Sequence, residues 1–140
     1  MFEINIADPV KPIGFGEIVV SSFREKFEMS FEFWVPSQYE HQWDIALTAI
    51  LSGSPKSMLL TSVTDPKSAN FLCCWPLYRV GECLVVQQQL LMLDEIRESF
   101  SFERLEDFVD PRETVDEEGN AISEWATTIE SVREFLSRDR

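Results

Sequence analysis

The chain is 140 residues long and strongly acidic, with 25 Asp and Glu against 12 Lys and Arg and a net charge of −13. Its 44% apolar residues, among them 11 Phe and 4 Trp, are enough to pack the core of a single domain spanning residues 1–140, which excludes a wholly disordered chain. The charge repels nucleic acid and anionic membranes, so it excludes a nucleic-acid-binding or membrane-surface protein and favours a partner with a basic surface.

No stretch reaches the roughly 18 uninterrupted apolar residues of a membrane span, and the N-terminus carries neither a basic region nor an apolar signal core. We therefore expect a cytosolic protein. The three cysteines, Cys73, Cys74 and Cys83, are an odd number at spacings that suit neither a disulfide framework nor a zinc site. We expect them to be reduced and mostly buried, and we expect no metal and no cofactor.

The N-terminal segment predicts a loop followed by β-structure. Proline and glycine residues make residues 8–16 a turn-rich loop after a short apolar opening. Apolar and polar side chains then alternate over residues 17–34, which is typical of a half-buried antiparallel strand. A bend near Ser21 and Ser22 either lies within this strand or joins it to a neighbouring one.

A helix is predicted at roughly residues 38–52. Pro36 should end the preceding strand, and Ser37 followed by Glu40 is the pattern of a capping box. Apolar side chains recur at three- and four-residue steps through the segment, as on one face of a helix. Gly53 follows at the position where a left-handed C-terminal cap is wanted.

Three further strands are predicted at residues 57–63, 70–80 and 82–93. Gly81 alone separates the last two, which predicts a tight hairpin. The last strand is apolar at both ends and should be central, covered on both faces for part of its length. Pro76 cannot donate to a sheet ladder, so we expect a bulge or a sheet edge at that residue.

An acidic stretch, residues 94–118, carries eleven carboxylates and only three basic side chains, which accounts for most of the net charge. Apolar residues interleave with these charges, so the stretch should dock against the body of the protein while its carboxylates face outward. The apolar residues are Phe100, Phe102, Leu105, Phe108, Val109 and Val115.

The C-terminal residues predict a turn at 117–120, a short strand at 121–126 and a final helix capped by Thr128. Together the elements predict an α+β fold: one domain, mainly antiparallel β-sheet, with two or three helices packed on it.

Catalytic motifs are weak. His41, the only histidine, falls on the polar side of the predicted helix, so we interpret it as a surface residue. No carboxylate pair is singled out for acid–base chemistry, and the glycines near residue 15 lack a dinucleotide-binding pattern. We therefore expect a protein that is not an enzyme. Core packing is the ordinary role of tryptophan, but Trp34 and Trp75 lie where either could anchor an interface.

Four segments resemble a family of bacterial immunity proteins from contact-dependent growth inhibition systems: MFEINIADPVKPIGFGEIVV (1–20), TDPKSANF (64–71), WPLYRVG (75–81) and ISEW (122–125). The similarity runs over nearly the whole chain. It implies a small cytosolic α+β protein that binds and blocks the C-terminal toxin domain of a matching large surface protein. Such toxins are often nucleases, whose clefts must be basic because they hold a polyanion, and a carboxylate-rich surface competes for the same charges.

Charge and exposure, not the resemblance, select the predicted toxin-binding residues. The carboxylates should steer association, while a few desolvated anchors should set the off-rate. The predicted residues are Asp94, Glu95, Glu98, Glu103, Glu106, Asp107, Asp110 and Trp75. The alternative hypothesis is an acidic regulatory or adaptor protein that docks a basic region of a cellular partner, and a small acidic hydrolase comes third.

Overall fold

The structure is a computed structural model that describes residues 1–7 and 12–138. Within these ranges it contains eight β-strands, two α-helices and one 3-10 helix. The strands are β1 (Phe2–Ala7), β2 (Ile13–Val20), β3 (Phe23–Ser30), β4 (Lys56–Ser62), β5 (Phe71–Val80), β6 (Cys83–Gln87), β7 (Gln89–Met92) and β8 (Glu124–Thr128). The helices are α1 (Pro36–Leu51), the 3-10 helix (Phe102–Phe108) and α2 (Ile129–Ser137). The predicted α+β class is confirmed.

The first sheet is an antiparallel meander in the order β1-β2-β3. Its last two strands are joined at Ser21, which has a φ of 56°, so residues 17–20 and 23–30 of the predicted strand belong to two paired strands. The prediction that this strand continues to residue 34 and ends at Pro36 is wrong, because β3 ends at Ser30. The prediction that residues 13–16 are loop is wrong, because they pair in β2. The rest of the predicted loop includes residues 8–11, which lie outside the described residues.

The second sheet has the antiparallel order β4-β5-β6-β8, and β7 pairs with the first half of β5. The predicted strand over residues 82–93 is therefore two strands, interrupted at Gln88. Pro76 lies in β5 between the residues that pair with β6 and those that pair with β7. The bulge or sheet edge expected at Pro76 is therefore not in β5 itself. The interruption lies opposite it, at Gln88 between β6 and β7. β6 is central and buried from Leu84 onward, as predicted.

Helix α1 begins two residues earlier than predicted. Pro36 occupies its first position, where the missing N–H and the fixed φ suit a helix start. The side chain of Gln38 accepts a hydrogen bond from the N–H of Val35 at 2.9 Å, so the predicted capping role of Ser37 and Glu40 is wrong.

The ends of the helices follow local sequence signals. Gly53 has a φ of +108°, its N–H donates to the carbonyl of Ile50 at 3.1 Å, and the N–H of Ser54 donates to that of Ala49 at 3.0 Å. These two bonds form a Schellman motif, which confirms the predicted cap. The prediction for Thr128 is also confirmed, since its hydroxyl accepts from a backbone N–H of α2 at 3.1 Å.

Side chains of α1 close the outer edge of β4. The amide of Gln42 donates to the carbonyl of Met58 and accepts from the N–H of Leu60, both at 2.9 Å. The indole N–H of Trp43 donates to the carbonyl of Leu60 at 2.7 Å. These groups take the place of a neighbouring strand, and they satisfy buried backbone that would otherwise be unpaired.

Tyr39 continues this arrangement past the end of β4. Its hydroxyl accepts from the N–H of Val63 at 2.8 Å and donates to the carbonyl of Ser30 at 2.7 Å, so it links the two sheets through α1. Burial raises the pKa of Tyr39 to about 12, and the bond from Val63 only partly offsets that rise. The phenol therefore remains a donor throughout the physiological pH range.

The acidic stretch is tied to the second sheet through its backbone carbonyls. The hydroxyl of Tyr78 donates to the carbonyl of Asp110 at 2.9 Å, and the Lys56 ammonium donates to the carbonyl of Val109. The side chain of Gln87 donates to the carbonyl of Glu113 at 2.9 Å. The donors come from β4, β5 and β6, so the path of residues 109–113 is set by the sheet beneath them.

An arginine at each end of this stretch adds to the attachment. The guanidinium of Arg97 donates to the carbonyls of Pro66 and Ala69 at 2.7 and 2.9 Å. Arg112 pairs with Glu124 of β8, and this hydrogen bond is the main reason why the pKa of Glu124 is lowered. Apart from the pair of Arg112 with Glu124, these hydrogen bonds that join the acidic stretch to the sheet and to residues 66–69 all end on backbone carbonyls. None of them therefore involves a carboxylate of residues 94–113.

The last segment before α2 contains the predicted turn. The side chain of Asp116 accepts from the N–H groups of Glu118 and Asn120, both at 2.9 Å, and Gly119 has a φ of +85°. β8 then covers residues 124–128, later than the predicted 121–126. No helix in the described part of the chain is long and apolar enough to cross a membrane.

Replacing Gln42 with Leu tests the closure of the β4 edge. The change leaves a buried carbonyl and a buried N–H without partners, each costing roughly 1–3 kcal/mol, so we expect the free energy of unfolding to fall by about 2–4 kcal/mol. Urea unfolding followed by tryptophan fluorescence measures it. Gln88→Leu is the matched control, because Gln88 is exposed. Equal midpoints for the two variants would show that the Gln42 bonds contribute little.

Tyr78→Phe tests the attachment of the acidic stretch. It removes the donor to the carbonyl of Asp110, a loss of roughly 0.5–1.5 kcal/mol. Because this bond joins the stretch to β5, we expect faster amide hydrogen exchange over residues 105–113 and unchanged exchange in β6. Mass spectrometry of deuterated peptides measures both. Unaltered exchange over residues 105–113 would mean that the other contacts hold the stretch without this bond.

Candidate protein-binding surface

All seven carboxylates selected from the sequence are exposed. Those before residue 100 lie in successive turns, and the later ones lie on or just after the 3-10 helix. Among the described residues only Asp94 of this set has an ion-pair partner, Arg97 at 3.2 Å. We call these seven residues the acidic surface: Asp94, Glu95, Glu98, Glu103, Glu106, Asp107 and Asp110.

The apolar residues of the acidic stretch hold this surface against the body. Leu105 and Val109 are buried, at 5% and 4% exposed, and the three phenylalanines are half-buried. Phe100 packs on Phe108 with ring centroids 5.4 Å apart. The prediction of docking is therefore confirmed for five of the six residues and wrong for Val115, which is 53% exposed.

The two tryptophans considered as interface anchors differ in exposure. Trp75 is only 1% exposed, and its indole lies 6.0–6.3 Å from the rings of Phe23, Phe27 and Trp125. The prediction that Trp75 contacts a partner is wrong in this fold, because the first sheet covers it. Trp34, the other candidate, is half-buried and reaches the surface.

A groove of about 350 Å³ separates α1 from the 3-10 helix. Ile45 and Ala49 line it from α1, and Glu103 and Glu106 line it from the acidic surface. His41 is exposed, as predicted, and also lines this groove. Sequence reasoning missed the groove because its walls are more than fifty residues apart in the chain, and no local pattern brings them together.

The cysteines do not form a reactive centre. Burial raises the pKa of Cys74 to about 12 and also raises that of the half-buried Cys73, so both thiols are poor nucleophiles. Cys83 is exposed, and the expectation that the cysteines are mostly buried therefore fails for this one. In the described part of the chain, no group of three His, Cys, Asp or Glu side chains is placed to hold a metal ion.

Comparisons with known proteins point to one family. Residues 29–135 match the family model described as the CdiI N-terminal domain. A curated relative, "Immunity protein CdiI" from Enterobacter cloacae subsp. cloacae, is 33% identical over 118 residues, which are 84% of this chain and 81% of the relative.

A solved structure extends the likeness to the fold. It is described as a CdiA-CT/CdiI toxin and immunity complex from Enterobacter cloacae, and the matched chain is 31% identical to this one. The TM-score is 0.89, and the match covers 97% of this chain and 96% of that chain. Sequence and fold therefore agree over almost the whole length, and this chain belongs to the CdiI family of immunity proteins from contact-dependent growth inhibition systems.

Proposed function

We propose that this chain binds and neutralises a toxin domain of the CdiA-CT kind and that the acidic surface makes the contact. The observation that carries this proposal is the set of exposed carboxylates on an anchored backbone, of which six have no ion-pair partner among the described residues. The solved relative, described as part of a toxin and immunity complex, supports the choice of partner.

The charge of this surface indicates the kind of toxin. A nuclease must bind a polyanion, so its active-site cleft is basic. A protein surface rich in unpaired carboxylates is complementary to such a cleft and competes with the phosphates for it. We therefore propose that the toxin is a nuclease and that this chain inhibits it by binding, without catalysis. Because a nuclease meets its substrate in the cytosol, the chain acts there.

The acidic surface contributes mainly to the association rate. Each exposed charge is worth only about 0.2–1 kcal/mol in a pair, so single carboxylates contribute little to affinity. Together they attract a basic partner that comes within the screening length of about 8 Å at physiological salt. Steering of this kind accelerates association by roughly 10 to 10³-fold and weakens as salt is added.

The anchored backbone adds a second contribution. Hydrogen bonds from the sheet to the carbonyls of residues 109, 110 and 113 fix the acidic surface before the partner arrives. The entropy of ordering this segment is therefore lost on folding and not on binding, which favours affinity.

Reversing three charges tests the acidic surface. In the variant Glu103→Lys, Glu106→Lys, Asp107→Lys, we expect association with the toxin to slow by about tenfold or more and to depend less on salt, because the steering field is weaker. Stopped-flow or surface plasmon resonance measurements at several salt concentrations give both quantities.

A second triple variant controls for total charge. Glu28→Lys, Glu118→Lys, Glu134→Lys alters the net charge equally at exposed carboxylates outside the acidic surface. It should slow association much less than the first variant. Equal slowing in both would mean that only net charge matters, and unchanged kinetics in the first would remove the acidic surface from the interface.

Co-expression tests the function itself. The cognate toxin domain, which we expect to be encoded directly before this chain, should stop bacterial growth when expressed alone, and growth should be restored when this chain is expressed with it. Plating efficiency measures the rescue, and an unrelated acidic protein of similar size is the control. Growth arrest that persists despite folded, abundant protein would contradict the proposal and favour an adaptor role.

A further inference from the structure

The groove between α1 and the 3-10 helix has one apolar wall. Ile45 is 57% exposed on α1 and faces the groove together with the half-buried Ala49 and Trp34. A single exposed isoleucine is ordinary on a protein surface, but this one lines a concave site with other apolar groups. The volume of about 350 Å³ is within the range of roughly 300–1,000 Å³ that is usual for ligand pockets.

The opposite wall carries two carboxylates. Glu103 and Glu106 are exposed and line the groove, and neither has an ion pair with any described residue. A partner that fills the groove removes water from both. Leaving a desolvated carboxylate unpaired is costly, so the group that enters must bring a cation.

Arginine satisfies both walls at once. Its aliphatic stem can lie along Ile45 and Ala49, and its planar guanidinium offers parallel N–H donors to carboxylates. The same plane can stack on the indole of Trp34, which favours a cation at its face. Lysine would supply only a point charge and cannot match this geometry.

We infer that this groove receives an arginine side chain of the toxin domain, which serves as a central anchor of the interface. The inference rests on the proposed function and adds a named site to it. The acidic surface as a whole sets the association rate, whereas this groove sets the dissociation rate, because a buried and hydrogen-bonded charge pair must break before the partners separate.

Two variants test the groove with the toxin domain encoded beside this chain. Glu103→Gln with Glu106→Gln removes the charges at equal size, and Ala49→Phe fills the groove without changing charge. Each should raise the Kd by about tenfold or more, mostly through faster dissociation at physiological salt. Surface plasmon resonance gives both rate constants.

Matched controls lie close by. Glu113→Gln with Glu118→Gln removes two exposed carboxylates of the acidic stretch that do not line the groove, and Thr48→Phe adds the same ring to the neighbouring exposed position of α1. Both controls should leave the Kd within about threefold. Circular dichroism and thermal midpoints verify folding. If Ala49→Phe is destabilised, the variant Glu103→Gln with Glu106→Gln, whose two positions are exposed, decides.

The outcomes separate the two proposals. If the wild-type chain does not bind the toxin, the proposed function fails. If it binds and the groove variants bind like their controls, the groove inference is overturned and the proposed function stands. An alanine scan of the toxin arginines adds a double-mutant cycle: one arginine should lose its effect in the Glu103→Gln, Glu106→Gln background, and an absence of coupling with every arginine would also overturn the inference.

Discussion

The closure of the β4 edge by α1 is the constraint on which the candidate surface depends. Gln42 and Trp43 bond the backbone of β4 as a neighbouring strand would, and Tyr39 extends the link to β3. These directional bonds fix the rotation of α1 about its axis as well as its position. They therefore determine which side chains α1 presents toward the acidic stretch, and Ile45 is among them.

The acidic stretch must also be held in place, because its like charges repel one another and oppose a compact arrangement. Half-buried phenylalanines and the buried Leu105 and Val109 offset this repulsion, and donors from the sheet bind backbone carbonyls. Most of the carboxylates of the acidic surface consequently have no ion-pair partner among the described residues. Such a charged segment is available to bind another molecule, as the proposed inhibition of a basic enzyme requires.

Local signals predicted those parts of the fold that local physics decides. Gly53 and Thr128 end and begin helices because of backbone conformation and hydroxyl geometry, and the outward position of the charges follows from the cost of burying them. Parts decided by tertiary contacts were not predictable in this way. Trp75 is buried because the first sheet, which is distant in sequence, covers it. Pro36, which was predicted to end a strand, occupies the first position of α1. The groove joins two segments that no periodicity relates.

Mapping the contact directly tests the central claim, that the acidic surface and the adjoining face of α1 meet a toxin. Hydrogen–deuterium exchange of this chain, free and bound to the proposed partner, its cognate toxin domain, measures which backbone segments become protected. We expect added protection over residues 94–110 and in α1, with little change in β1 to β3. Protection confined to the β1-β2-β3 sheet, with residues 94–110 exchanging as in the free chain, would contradict the account.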